Sequence, residues 1–570
     1  MCFGGKVHDM INVRKFIRSR MGFALISNML ILLVSLCFFR PFWEESDDIG
    51  MALLAEGAYG GGEPHLLYAG IAYGKILCLL QGLFPAVRWH AIVMLLAWFV
   101  ISAAFVYVLC EDRRGKILSA IFLLGSFYEI SVSIQFSKVA TVIGLCSFLI
   151  LFECSTPRLP IKVRRVLTVI ATAGVAFSLI LRLESFLLAA MIGGCYGICR
   201  LIYEMKTEGG KGKIASYLKV FLPAFALAGM LFLADLYAYS SGGWKDYKDY
   251  YNSVTGMVDY HNNALLYDLH GDELKDLKVS ENDALLYITY GSLEHEITTN
   301  ELMDRISRLD PKGISYINAD LIKAWIANLY DEILVPNSVV TALLLLTGLV
   351  FVFLKGTGRR YITSVILIQA AVGLAVLFYY QYSSRYCHRV VYALLLAQLV
   401  LVTYILHGLE GYDFSRPVLT CVFLMLALPL ARMRLGNEFA YREYERTAFG
   451  YDEFISYMED RKDTLFVSDV FTMIDYGKYD VFRPGRPGQF DNFLQTDSVF
   501  IANSPVNKAI ADRYGYGDPF EALCSGSENV LLADGISPEV ELTFLKEHGD
   551  RGYRLEEKDK AGGISLYAVR

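Results

Sequence analysis

Residues 22–50 read GFALISNMLILLVSLCFFRPFWEESDDIG: eighteen positions without a charge, then Arg40 and Pro41, then four carboxylates within five positions. A helix rising about 1.5 Å per residue needs about 20 apolar residues to cross a hydrocarbon core of about 30 Å, so Gly22–Phe39 predicts a membrane span. Glu44, Glu45, Asp47 and Asp48 follow just beyond its end. Carboxylates lose solvation free energy as they approach hydrocarbon, so four together at a membrane surface need either open water or a chemical task.

The rest of the chain repeats the apolar theme. Of 570 residues, 54% are hydrophobic and only 20% charged, with a mean hydropathy of +0.38, which excludes an ordinary soluble enzyme. Further spans are expected near 90–110, 117–128, 139–152, 166–181, 186–202, 214–236, 335–354, 361–380, 390–406 and 418–430. The fold class is thus a polytopic α-helical membrane protein with about eleven transmembrane helices. Leu66–Phe84 is also apolar, but it carries Gly70, Gly74, Lys75 and Gln81 and stops at Pro85, which fits an interfacial or re-entrant helix better than a crossing. Basic residues cluster at Arg14, Lys15, Arg18 and Arg20 ahead of the first span, and again at 113–116, 158–165, 200–219 and 355–360. All five clusters fall on one face if the spans alternate. The positive-inside rule then puts the N-terminus in the cytoplasm and the C-terminus outside a bacterial-type cell membrane. The leader has no small-residue cleavage site and reads as an uncleaved signal anchor.

Two units follow: a multi-spanning membrane domain, 1–432, and an external soluble α/β domain, 433–570. The second holds 16 basic and 25 acidic side chains, the acidic surplus of the chain. Short β-rich pieces at Thr464–Val467, Val499–Ala502, Asn529–Leu532 and Ser565–Val569 alternate there with polar helical stretches. Within the membrane domain, a first external loop, 40–89, holds the acidic run. A tyrosine-rich second external segment, 237–328, is too long to be a plain connector.

Each candidate side chain has a structural reading beside the chemical one. Ser46 can cap a short helix whose first turn holds Asp47 and Asp48, and the helix dipole would then account for the acids. Chemically, adjacent acids point in different directions from a helix, so one can face an acceptor hydroxyl while the other holds a metal, a sugar hydroxyl or the cationic side chain that orients the first; Asp48 is marginally preferred as the base. Glu56 and Glu63 offer further carboxylates. Arg182 at a helix end either pairs with Glu184 or meets a phosphate, and Arg385, His388 and Arg389 form a denser cationic group. Lys138 is an interfacial anchor or a further member of that site. Gly209 to Lys213 lacks P-loop spacing and reads as a linker. Cysteines such as Cys146 and Cys421 lie in apolar runs, and no metal-ligand spacing occurs.

The acidic pair at the start of the first external loop, the Gly60-Gly-Gly62 stretch, Pro64-His65, Gly74-Lys75, about ten further spans and an external C-terminal domain together resemble the GT-C superfamily of integral membrane glycosyltransferases, which includes protein O-mannosyltransferases and aminoarabinose transferases. The resemblance implies a glycosyltransferase that takes a sugar from a polyprenyl-phosphate donor and places it on an extracytoplasmic glycan or glycolipid. Asp47 and Asp48 match the catalytic acids, and Arg182, Arg385, His388 and Arg389 are the donor-phosphate candidates. Glu44, Glu45, Glu56, Glu63, His65, Lys75, Lys138 and Glu184 are candidates for support. The cofactor is open, a divalent metal included. Expected partners are the lipid bilayer, the polyprenyl-linked sugar and the acceptor glycan, with no nucleic acid. The rivals are a flippase for a lipid-linked glycan, which would need ionisable positions at mid-membrane, and a non-catalytic glycan-binding scaffold.

Overall fold

The structure, a computed structural model, describes residues 16, 19–208, 213–258, 266–288, 298–309, 317–335, 337–353, 359–409, 414–469, 471–496, 501–534 and 537–570. Arg14, Lys15 and Arg18 of the leader and most of the Gly209 to Lys213 linker lie outside the described residues.

The first half is helical: α1 Arg20–Phe38, α2 Ser46–Glu56, α3 Ile71–Leu83, α4 Trp89–Leu109, α5 Arg113–Phe127, α6 Phe136–Cys154, α7 Ile161–Leu181, α8 Leu183–Glu208 and α9 Lys213–Ala238. Next come α10 Gly243–Val258, α11 Leu266–Asp276, α12 Glu281–Ile288, α13 Asn300–Leu309 and α14 Ala319–Leu334, then α15 Ser338–Phe353, α16 Arg359–Tyr382, α17 His388–His407 and α18 Arg416–Glu459. Among the described residues ten helices are long and apolar enough to cross a membrane, or eleven if α14 and α15, bent by 90° at their junction, make one span. Helix α3, at 13 residues, reaches only about 20 Å and is too short to cross.

Helix α6 is the axis of the bundle, buried along almost its whole length and packed against α4, α7, α8 and α17. Small residues let α6 and α7 approach closely. A Cβ on Gly144 would lie 2.6 Å from Ser178 Oγ, and that hydroxyl donates to the Ala140 carbonyl at 2.8 Å. With eleven spans alternating, the ends of α1, α5, α7 and α17 that carry the predicted site fall on one face, called here the acidic face.

Two short strands organise that face. Strand β1, Phe42–Trp43, pairs in parallel with β2, Ser133–Ile134, which fastens the loop after α1 to the end of α5. Between α5 and β2 the helix widens into a π-turn, Tyr128–Val132, and Glu129 lies in it. Helices α10 to α13 enclose a small core of their own that includes Val254, Leu274, Tyr287 and Met303.

The C-terminal unit is a five-stranded sheet with β3 Leu465–Ser468, β4 Phe493–Gln495, β5 Val530–Asp534, β6 Leu555–Ala561 and β7 Ile564–Val569 in the order β4-β3-β5-β7-β6. Strands β4, β3 and β5 run parallel, and β7 and β6 continue the sheet antiparallel. Helices α19 Pro505–Arg513, α20 Pro519–Cys524 and α21 Pro538–His548 complete it. Three of the expected β pieces are strands. At the fourth, 499–502, the described residues Ile501 and Ala502 form a turn. The expected boundary at 432/433 falls inside α18, a continuous helix of 44 residues that carries the chain from the bundle into this unit.

The C-terminal unit sits on the acidic loop. Backbone amides of Gly488 and Phe490 donate to Gly57 and Ala58 carbonyls at 2.9 and 2.7 Å, and Trp43 donates to Lys478 at 2.8 Å. Asn437 of α18 exchanges two hydrogen bonds with the Arg40 backbone, at 2.8 and 2.9 Å.

Candidate active site

Helix α2 presents the acids. Ser46, expected as its cap, is instead the first helical residue; Glu45 takes the N-cap position and makes no side-chain capping bond. Asp47 and Asp48 therefore lie in the first turn, where free amides favour negative charge. Successive side chains leave a helix about 100° apart, and this separates the pair.

Asp48 turns inward and is fully buried. Its Oδ1 accepts from His90 Nε2 at 3.0 Å and from the Phe136 amide at 3.3 Å, while Oδ2 has no hydrogen-bond partner. The other ring nitrogen of His90 lies 2.9 Å from the Tyr73 hydroxyl, an arrangement that suits a neutral ring with its proton on Nε2. Burial pushes the Asp48 carboxyl well above its ordinary value, and the neighbouring Asp47 charge adds to the shift.

Asp47 turns the other way and keeps 15% of its side chain exposed. Arg389, at the start of α17, donates from Nη1 to Asp47 Oδ2 at 3.0 Å and lies 3.4 Å from Glu45 Oε2. Burial raises the Glu45 pKa, and Arg389 opposes that rise.

Lys138 is neither exposed nor alone. Gln135 caps α6 by accepting from the Ser137 and Lys138 amides at 2.8 and 3.1 Å, which points the lysine into the bundle end. Its ammonium, fully buried, contacts Glu44 and reaches Glu129 at 2.7 Å. His388 lies 3.2 Å from the same Glu129 oxygen and stacks on Tyr392 at 3.9 Å. Asn337 donates to the other Glu129 oxygen at 3.0 Å. Glu44, Glu129 and His388 bring three donor atoms within 4.8 Å of one another, with the Lys138 ammonium against both carboxylates.

Arg182 pairs with Glu184 at 2.7 Å and lies over the rings of Tyr68 and Phe136, at 4.8 and 5.2 Å. Phe136 gives its amide to Asp48, so Arg182 is one residue removed from the acids. A cavity of about 150 Å³ beside it is lined by Tyr68, Arg182, Asp235, Lys248 and Tyr251. Arg385 is half-buried in the turn before α17.

The remaining candidates are elsewhere. Glu56 forms a buried two-point pair with Arg88, at 2.9 and 3.1 Å, and accepts the Gly485 amide at 2.7 Å. Arg88 also donates to the Asp480 carbonyl at 3.1 Å, so this pair fastens the C-terminal unit to the bundle. Glu63 and His65 are paired at 2.6 Å, and His65 stacks on Trp244 at 4.3 Å. Pro64 and Gly74 meet by packing: a Cβ on Gly74 would fall 1.9 Å from the Pro64 carbonyl oxygen. Lys75 is exposed.

Three residues that pair with the candidates, Glu129, Arg88 and His90, were not singled out from sequence. Glu129 is a charge inside an apolar run, and an ionisable residue there marks a functional site by default. Arg88 and His90 stand at the start of a span, where no local pattern announces their partners.

Among the described residues the helical bundle thus presents an acidic face that gathers Glu44, Glu45, Asp47, Asp48 and Glu129 with Lys138 and Arg389 beneath the C-terminal unit. No family model matches the chain, and no curated protein matches it. Among solved structures it is similar to ArnT from Cupriavidus metallidurans in the apo state, with 11% identity, a TM-score of 0.38, and coverage of 95% of this chain and 96% of that one. It is similar also to the same protein bound to undecaprenyl phosphate, with 10% identity, a TM-score of 0.36, and coverage of 95% and 97%. Similarity at that level is too low to carry any residue's role across.

Proposed function

We propose that the protein is an integral membrane glycosyltransferase that moves a sugar from a polyprenyl-phosphate donor to an extracytoplasmic glycan or glycolipid, with the acidic face outside. The observation that carries this reading is the Asp47–Arg389 pair at the ends of α2 and α17, partly open and backed by buried charge. A base must reach its substrate's proton, and Asp47 is the acid of the pair with exposed surface. Asp48, buried against His90 and Phe136, positions the turn that carries it. The preference between the two acids therefore passes to Asp47.

The acceptor hydroxyl loses its proton to Asp47 as its oxygen attacks the anomeric carbon, and the bond from that carbon to the phosphate oxygen breaks. Phosphate leaves as a stable anion, so general-acid help is dispensable. Cations at the membrane surface stabilise the departing charge. Arg389, Arg182, Arg385 and His388 are the cations we assign to this role. Arg389 and Arg182 are held by carboxylates, and donor binding would exchange those partners for phosphate oxygens.

The test is transfer by the full-length protein in vesicles containing labelled polyprenyl-phosphate sugars, with product glycans read by mass spectrometry. Transfer by the wild type and its loss in Asp47→Asn are expected. Equal transfer by the Asp47→Asn/Asp48→Asn double variant would overturn the proposal.

A further inference from the structure

A groove of about 510 Å³ opens between the second external segment and the C-terminal unit, and the chemistry assigned to the acidic face does not use it. Helix α10 supplies Asp246, Tyr247 and Tyr250 to one wall, and α19 supplies Lys508 and Asp512 to the other. The volume lies within the roughly 300–1,000 Å³ of small-molecule sites.

Local structure holds both walls in place. Asn507 fixes α19 to the end of β4 by exchanging two hydrogen bonds with the Gln495 backbone, at 3.3 and 3.1 Å. On the other side, Ser253 of α10 donates to Asp304 of α13 at 2.9 Å, and Trp244 stacks on His65 of the first external loop at 4.3 Å. The walls meet at Gly243, where a Cβ would come within 3.1 Å of the Pro505 ring, so any larger residue would press them apart. The groove is thus preformed between fixed elements.

Two features relate it to the acidic face. Successive residues turn about 100° on a helix, so Asp246, Tyr247 and Tyr250 leave α10 on a different face from Lys248 and Tyr251, which line the cavity beside Arg182. One helix therefore separates groove from cavity. At the far end of α19, Arg513 lies 3.3 Å from where a Cβ on Gly60 would fall, and Gly60 belongs to the loop that continues from α2. A ligand in the groove is bound beside the reacting centre and not in it, which suits the remote part of a chain-like substrate.

The lining offers the chemistry that sugars need. The Asp246 and Asp512 carboxylates accept from hydroxyls, the Lys508 ammonium donates to them, and the half-buried Tyr250 ring presents an apolar surface to the C–H side of a pyranose. Two carboxylates against one ammonium disfavour an anionic polymer. We propose that this groove binds a neutral oligosaccharide, the part of the acceptor glycan remote from its reacting hydroxyl. That the bound glycan is the acceptor rests on the transferase reading above; the binding itself does not.

Labelled full-length protein in a sugar-free detergent is read on an array of neutral and acidic oligosaccharides. The wild type is expected to bind members of the neutral set, and Asp512→Asn to bind them roughly tenfold or more weakly, through loss of charge-assisted hydrogen bonds. Tyr250→Ala should weaken binding by about tenfold. Because Tyr250 also packs on the small core of α10 to α13, the exposed Asp512 is the deciding position. Asp47→Asn should bind as the wild type does, so a protein that binds the array and transfers no sugar would lose the transferase reading and keep the groove. A blank array would overturn the proposal, as would wild-type binding by Asp512→Asn and Tyr250→Ala, or binding confined to acidic oligosaccharides.

Discussion

Two ionic clusters are buried at opposite ends of the same helical bundle, and they are built differently. On the face away from the acidic loop, Arg200 pairs with Glu204 at 3.0 Å and Glu153 at 3.5 Å, and donates to the Tyr404 hydroxyl at 3.0 Å. Tyr404 in turn donates to Glu153, and Tyr217 donates to Glu204 at 2.9 Å. None of these side chains leaves a buried polar atom without a partner. On the acidic face Glu44 Oε1 and Asp48 Oδ2 are buried with none, and Asp47 reaches the surface. A closed cluster braces helices. An open one, with buried carboxylate oxygens that meet no donor, keeps polar capacity for something that arrives.

The largest effect should separate the two ends by activity. Asp47→Asn keeps shape and hydrogen bonding but removes basicity, so transfer should fall by about 10²–10⁴ while the melting temperature stays near wild type. Wild-type turnover would end the assignment of Asp47 as base.

The brace should respond in the opposite sense. Arg200→Met leaves Glu153 and Glu204 buried without their cation, and breaking a buried pair from one side costs about 3–5 kcal/mol. Thermal unfolding in detergent should drop accordingly, with transfer per folded molecule retained. If stability is unchanged and transfer is lost, the roles of the two ends are reversed.

Arg389 lies between these cases. Charge-assisted hydrogen bonds contribute about 1.5–3 kcal/mol, so Arg389→Gln should lower transfer by roughly ten- to a hundredfold, with KM for the donor rising as well as kcat falling. A fall in kcat alone would restrict Arg389 to aligning Asp47 and remove it from the phosphate.

How much of this was readable in advance follows from the range of each interaction. Spans announce themselves locally, since hydrocarbon demands about 20 apolar residues in a row, and the expected count of eleven lies at the upper bound of the structure's ten or eleven. Strand β6 did not, because its residues Leu-Glu-Glu-Lys-Asp-Lys-Ala lack apolar alternation; it is the charged edge of the sheet, where such residues discourage further pairing. The acidic run was legible as a cluster, but its division of labour was not. Asp48 is oriented by His90, 42 positions away, and Asp47 by Arg389, 342 away. Lys138 resembled a surface anchor until the fold folded it between Glu44 and Glu129. Pro64 and Gly74 looked like parts of a motif and proved to be neighbours in packing.

The smallest effect concerns Asp48, and it tests whether this acid serves position more than chemistry. Its carboxyl is held above the ordinary value of 3.8 by burial first and by Asp47 second. The folded state therefore binds the proton more tightly than the unfolded chain does. Stability from this source is fully present below the unfolded pKa, and it is lost as pH rises from there toward the raised folded value. Asn at position 48 has no such titration, so the wild type should lose stability relative to Asp48→Asn as pH climbs from about 4 toward neutrality. The amide oxygen can still accept from His90 and Phe136, while Nδ2 takes the place of an oxygen that has no donor. At neutral pH the two proteins should differ by only about 1 kcal/mol. Melting both across that pH range measures the sign directly. A wild type that gains stability over Asp48→Asn with rising pH would mean an ionised Asp48 held by a cationic partner, and the division between a buried positioning acid and an open base would fail.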